Sequence, residues 1–209
     1  MEKKIIQALF ANACGKDELR PIMNGVHFEE ERVYASDGHI LVVYNEGSKK
    51  LDGKTIAPDG TELEGRYPNI DSVLPSSKSM GTEFKADLVQ LRAACQYHVR
   101  KEDSKTQDRV VVGGTGLVVT SLLRTLNAVL ACEEPSKFKL FISEPLKPIT
   151  FLGKKTKAIL MPIPYEEKEV DVEQEEGCSN VFSYESFLND YVFNGWKKKP
   201  VKAALAWLD

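Results

Sequence analysis

The chain has 209 residues, 42% hydrophobic and 28% charged, enough to bury a real core in one or two compact units. No apolar run approaches the roughly 18 residues needed to span a bilayer, and "MEKKIIQALF" is too short and polar for a signal peptide, so a cytoplasmic protein without a membrane partner is expected. Cys14, Cys95, Cys132 and Cys178 lie far apart with no C-x-x-C pair, which favours reduced, mostly buried thiols over zinc or a disulfide framework.

The net charge of −3 conceals an uneven distribution. Segment 166–176, "EEKEVDVEQEE", carries −6, residues 177–209 carry +1, and residues 1–165 are left at +2. A faintly basic body with an acidic strap permits a nucleic-acid partner without demanding one.

In chain order, "KKIIQALFANA" places Ile5, Ile6, Leu9, Phe10 and Ala13 on one helical face, with Gly15 ending the run. Three short strands follow, marked by Val26 and Phe28, Val33 and Ala35, and Ile40 to Val43. Residues 46–75, rich in Gly, Pro, Asp and Lys, read as loop with at most one strand. Phe84, Leu88, Leu91, Cys95 and His98 form an apolar stripe at helical spacing, with Lys85, Arg92 and Gln96 on the other side. "DRVVVGG" is a strand ending in a glycine turn. "LVVTSLLRTLNAVLAC" is a helix at least from Ser121, with Leu122, Leu126 and Val129 inward and Arg124 outward. "KFKLFIS", "KPITFL" and "KAILMPIPY" are further strands. After the acidic strap, Tyr184, Phe187, Leu188 and Tyr191 share one helical face, and "VKAALAWLD" reads as a final short helix. No repeat is visible by identity, although a strand–helix–strands pattern occurs twice.

"YASDGHILVVYN" sets Ser36, Asp37 and His39 close together, but the arrangement does not make a catalytic group. Asp-Gly is a strong turn signal between apolar strand residues, and no other part of the chain completes a triad. His27 sits in a strand and His98 on a helical apolar stripe. There is no P-loop, no G-x-S-x-G and no H-E-x-x-H, so neither an enzyme nor a metal or cofactor site is expected.

Three segments carry a resemblance. "ELRPIMNGVHFEEERVYASDGHILVV" resembles the second-domain segment of the bacterial DNA polymerase III beta subunit, the sliding clamp, through Arg20, Met23, Asn24, Gly25, Phe28 and Glu29, then Ala35 to Val42. "GRYPNIDSVLP" (65–75) is similar to that family's interdomain segment, and "AILMPIPY" (158–165) to its terminal motif. "LLRTLNAVL", between them, is similar to the last helix of the third domain. The resemblance covers residues 3 to 165 and implies an α+β, truncated DNA-clamp fold: helices packed on antiparallel sheets, plus a C-terminal helical extension. The implied division is a partial second-domain-like unit over 1–75, a third-domain-like unit over 76–165, and an acidic linker plus helical tail over 166–209.

The resemblance implies a non-enzymatic DNA replication accessory. Two partners follow from it: double-stranded DNA, and a linear peptide of a polymerase or other replication factor. Clamp helices present cations to phosphates without reading sequence. Here the candidates are Lys3, Lys4, Lys85, Arg92 and Arg124, diluted by Glu2, Glu83 and Asp87. Any amphipathic helix shows such a solvated face. Carried over position by position, the peptide pocket uses Met23, Ser36, Leu41, Pro68, Val73, Ile159, Leu160, Met161, Pro162 and Ile163. Ser72 stands where clamps usually carry a long basic residue. The chain offers fewer helices than a closed trimer needs, which leaves a monomer or open assembly beside the ring-forming trimer. The competing reading is a monomeric interaction adaptor that keeps the pocket and does not encircle DNA. The tail is expected to fold back over exposed apolar surface, either at the pocket or where the truncated domain lacks its other half.

Overall fold

The computed structural model describes residues 2–47, 49–171 and 179–195. The last proposed helix, residues 172–176 of the acidic strap and Cys178 therefore lie outside the described residues.

Helix α1 (Glu2–Asn12) is followed by strands β1 (Val26–Glu29), β2 (Arg32–Ser36), β3 (Ile40–Asn45) and β4 (Thr55–Ile56). Next come β5 (Thr82–Phe84), helix α2 (Leu88–His98), β6 (Arg109–Val112), β7 (Thr115–Val118) and helix α3 (Val119–Cys132). Strands β8 (Lys139–Ile142), β9 (Ile149–Leu152) and β10 (Thr156–Leu160) precede β11 (Val181–Ser183) and helix α4 (Tyr184–Asp190).

Eight strands form one sheet in the order β4-β1-β2-β3-β10-β9-β8-β5. The order is mirrored about the seam where β3 and β10 pair antiparallel, with Val42 opposite Ala158. Each triplet, β1-β2-β3 and β8-β9-β10, follows its own helix, and those helices, α1 and α3, pack on each other. The repeat hinted at by the sequence is therefore a helix plus three strands, used twice. The sheet runs unbroken between segments 1–75 and 76–165.

Alternation of side chains assigns the two faces. Val33, Ala35, Val42, Phe151, Ala158 and Leu160 belong to the core that α1, α2 and α3 complete. Tyr34, Leu41, Val43 and Ile159 form a separate cluster on the opposite face, with Tyr67 and Ile70 laid over them from segment 65–75, a covering strap distinct from the acidic segment 166–176.

A smaller sheet, β11-β6-β7, closes the far end. Gly113 and Gly114, with φ of 54° and 77°, make the two-residue turn that pairs Val112 with Thr115. Strand β7 was not expected, because its apolar residues run without a break into α3. Helix α3 itself starts at Val119, two residues before Ser121.

Helix α2 also begins later than its apolar stripe suggests. Asp87 caps it, its Oδ1 accepting the amides of Val89 (2.9 Å) and Gln90 (3.0 Å), which leaves Phe84 in β5. Lys85 is consequently not on the helix; it is exposed in the β5–α2 connection.

The tail packs through the face its sequence indicated. Phe187 and Tyr191 are buried; Tyr184 meets Phe84 edge-on at 5.4 Å, and Phe187 lies 5.3 Å from His98. Strand β11 adds parallel to β6, a pairing no local sequence signal announced. Beneath it, Asp108 is fully buried and accepts from Asn180 N (2.7 Å) and Lys105 N (2.9 Å), with His98 Nε2 2.8 Å away. The described part of the tail, 179–195, thus covers α2 and the β6 edge, not the face of the large sheet under residues 65–75.

Candidate functional site

The strap-covered face carries an apolar cavity of about 260 Å³ beside the β3–β10 seam. Four stretches of chain meet there. The turn Pro21–Asn24 contributes Met23, the β2–β3 hairpin Ser36 and Leu41, the strap Pro68 and Val73, and β10 with its continuation Ile159 and Met161. Val73 and Met161 remain 54% and 38% exposed, large apolar side chains at the rim.

Local hydrogen bonds hold each wall. Asn24 braces the loop before Met23, its Oδ1 accepting Asp17 N (3.0 Å) and its Nδ2 donating to Asp17 O (3.1 Å). The strap is pinned where Tyr67 Oη accepts Ser36 N at 2.8 Å and the Tyr67 ring stacks on His27 at 5.0 Å. Burial pushes the Tyr67 phenol well above its ordinary pKa, so it stays neutral. Arg32 Nη1 donates to Asp71 Oδ1 at 2.7 Å, and Lys157 Nζ donates to the Pro75 carbonyl, tying the middle and the far end of the strap to the sheet.

The Asp-Gly turn forms the remaining wall. Asp37 Oδ1 accepts the amides of His39 and Ile40, each at 2.8 Å, and Ser36 Oγ accepts Gly38 N at 3.1 Å. Gly38 has φ of 93°, a left-handed conformation that glycine adopts without strain. Asp37 therefore holds backbone, not the His39 ring, and the geometry contains no nucleophile–base pair. Among the described residues no group of three or more His, Cys, Asp or Glu is placed to hold a metal.

Met23, Ser36, Leu41, Pro68, Val73, Ile159 and Met161 all line the cavity, as expected. Leu160, Pro162 and Ile163 do not. Leu160 points to the helix side of the sheet by simple alternation, and Ile163 N donates to Gly116 O at 2.9 Å, drawing the chain away along β7. Residues the sequence reading missed are Arg20, Gly38, His39, Ile40, Tyr67, Asn69 and Ile70. Each lies inside or beside a quoted motif, so proximity to the motif was the available signal.

The candidate cations are dispersed. Lys3 and Lys4 are exposed in the first turn of α1, and Lys85 sits off α2. Arg92 is half-buried, its Nε without a hydrogen-bond partner. Arg124 is engaged internally, Nη1 donating to Asp37 Oδ2 at 2.7 Å.

Two helix-plus-strands units joined edge to edge, helices on one face and a notch at the seam on the other, define the DNA-clamp class of fold. The solved structures it resembles are bacterial DNA polymerase III beta sliding clamps. A C. crescentus beta sliding clamp with polyethylene glycol bound matches at a TM-score of 0.60 and 14% identity, over 78% of this chain and 64% of that one. The beta subunit from Streptococcus pyogenes gives 0.58 and 15%, over 79% and 65%. The Bartonella birtlesii clamp bound to griselimycin gives 0.58 and 13%, over 78% and 64%. The chain thus spans under two thirds of their length and has a truncated form of their fold. No family model matches the sequence, and no curated protein does. No described helix is long and apolar enough to cross a membrane.

Proposed function

We propose that this protein is a non-enzymatic, clamp-like accessory of DNA replication whose working surface is the notch, which takes a linear peptide from a polymerase or another replication factor. One observation carries the reading: three segments distant in sequence, each resembling a clamp motif, supply Met23, Leu41, Pro68, Val73, Ile159 and Met161 to a single apolar cavity. Such a notch binds by swallowing one or two apolar anchors, each worth about 2–3 kcal/mol for roughly 100 Å² removed from water. A peptide backbone crossing the rim would find Asn69 and His39 as polar partners.

The adaptor form of this function has a specific observation in its favour. With Arg124 bound to Asp37 and Lys85 off its helix, the helical side offers no concentrated row of cations among the described residues. Phosphate binding depends on the number of such contacts. Fluorescence anisotropy with a labelled peptide bearing two apolar anchors tests the notch: saturable binding, competed by unlabelled peptide, supports it, and its absence sinks it. Light scattering with and without duplex DNA at modest salt separates the two forms. A DNA-indifferent monomer that binds peptide is an adaptor; a DNA-dependent assembly is a clamp.

A further inference from the structure

The turn that forms one wall of the notch is held from the other side of the sheet. Arg124, on α3, sends its guanidinium to the end of β2, where Nη1 donates to Asp37 Oδ2 at 2.7 Å. Its Nη2 donates to the carbonyl of Cys14, just past α1, at 3.2 Å. The second oxygen of the same carboxylate accepts the amides of His39 and Ile40. One carboxylate therefore joins both packed helices to the backbone that shapes the notch. The Asp37 side chain is 13% exposed and that of Arg124 36%, so the pair is better shielded than an ordinary surface ion pair. Gly38 has no side chain to anchor the turn, which leaves its geometry to Asp37 and Ser36.

We infer that Arg124 is a positioning residue of the notch: it fixes the Asp37 carboxylate, which keeps residues 37–40 in the shape that accepts an apolar anchor. This rests on the peptide reading of the notch and adds a residue that touches no part of the cavity. It also changes the role expected for Arg124 from its place on a helix, because a phosphate approaching from the helical side competes with Asp37 for the same charge. Peptide binding and polyanion binding at Arg124 then oppose one another, and by linkage the opposition is mutual.

The experiment uses the full chain with R124Q, R124K, D37N and the R124Q/D37N double variant. Two readouts are taken: affinity for the labelled two-anchor peptide, and hydrogen exchange at the His39 and Ile40 amides. The expected result is that R124Q weakens the peptide about tenfold, the scale of one lost charge-assisted hydrogen bond, and speeds both amides by a similar factor. R124K recovers part of the loss, and the double variant is no weaker than D37N alone, as expected for residues acting as one unit. Additive losses, or a peptide affinity within about twofold of wild type in R124Q, overturn the inference. If the wild-type protein binds no peptide, the notch reading fails. The exchange rates then decide the inference alone, unchanged amides in R124Q and R124K refuting it. Reduced DNA retention in R124Q with unaltered exchange assigns Arg124 to phosphate instead.

Discussion

The two faces of the eight-stranded sheet are built from the same kind of strand and finished in opposite ways. On one face α1, α2 and α3 cover Val33, Val42, Phe151 and Leu160 down to 0% exposure. On the other, a strap without regular structure covers Leu41 and Ile159 but leaves Val73 and Met161 in water. Helices tile an apolar sheet completely, because their side chains repeat at the spacing of the surface below. A strap touches at intervals, here at Tyr67 and Ile70, and leaves a gap between contacts. Incomplete cover is what leaves a cavity in a second core.

The difference between the faces is tested most strongly by removing apolar bulk from each. Phe151→Ala, at a fully buried helix-side position, is expected to cost about 3–5 kcal/mol. Val73→Ala, on the strap rim, is expected to cost about 0.5 kcal/mol or less. Denaturant unfolding measures both. A Val73 cost approaching that of Phe151 would make the strap a structural cover and not the lip of a site.

The tail end of the molecule is covered as the helix side is, and its buried acid shows how. Asp108 accepts the amides that begin β11 and end the loop before β6. Asp108→Asn keeps the shape and loses the charge, at a cost of about 2 kcal/mol. Faster proteolysis of the tail should accompany it, with peptide affinity at the notch unchanged. A parallel loss of peptide binding would show that the tail end and the notch are not separate regions.

A smaller effect on folding with a clear effect on binding is expected at the rim. Met161→Asp places a charge where an apolar anchor must rest, so peptide affinity should fall at least about tenfold while stability moves by less than about 1 kcal/mol. Anisotropy titration beside a melting curve reads both. Unaltered affinity would move the binding surface elsewhere on the strap side.

Much of this plan is legible in the residues. The stripes of α1 and of the tail helix are periodic, and Asp37-Gly38 announces its turn through side-chain chemistry that acts within three residues. The notch emerged because the motif segments keep their order and content. What escaped depends on partners far along the chain or on a finer rule. Leu160 was placed in the notch by its neighbours, although alternation alone sets it opposite Ile159 and Met161. Lys85 was read as helical because Phe84 fits the apolar spacing, while the Asp87 cap marks a later start. Strand β11 has no signal of its own, since its parallel partner β6 lies some seventy residues earlier. Arg124 is outward by helical period, and only folding brings Asp37 to meet it.

The least effect, and the one that tests how the helix side is fastened, is expected at Glu133. This residue ends α3 and grips the β9–β10 turn, Oε1 accepting Lys155 N at 2.7 Å and Oε2 accepting Lys154 N at 3.0 Å. Burial pushes its carboxyl up, but nearby Thr156 and the amides of Lys155 and Lys154 together outweigh it and hold the pKa below the ordinary 4.5. A carboxyl lowered by folding contributes its stability above the unfolded-state pKa and loses it as pH falls through the folded value. The contribution should therefore be whole at neutral pH, fade below about pH 4.5, and stay under about 1 kcal/mol because solvent screens a group this open. Unfolding midpoints of wild type and Glu133→Gln, followed from neutral to acid, should start apart and converge as the wild-type carboxylate is protonated. A gap that stays constant into acid would mean that Glu133 holds the turn through packing and not through its charge.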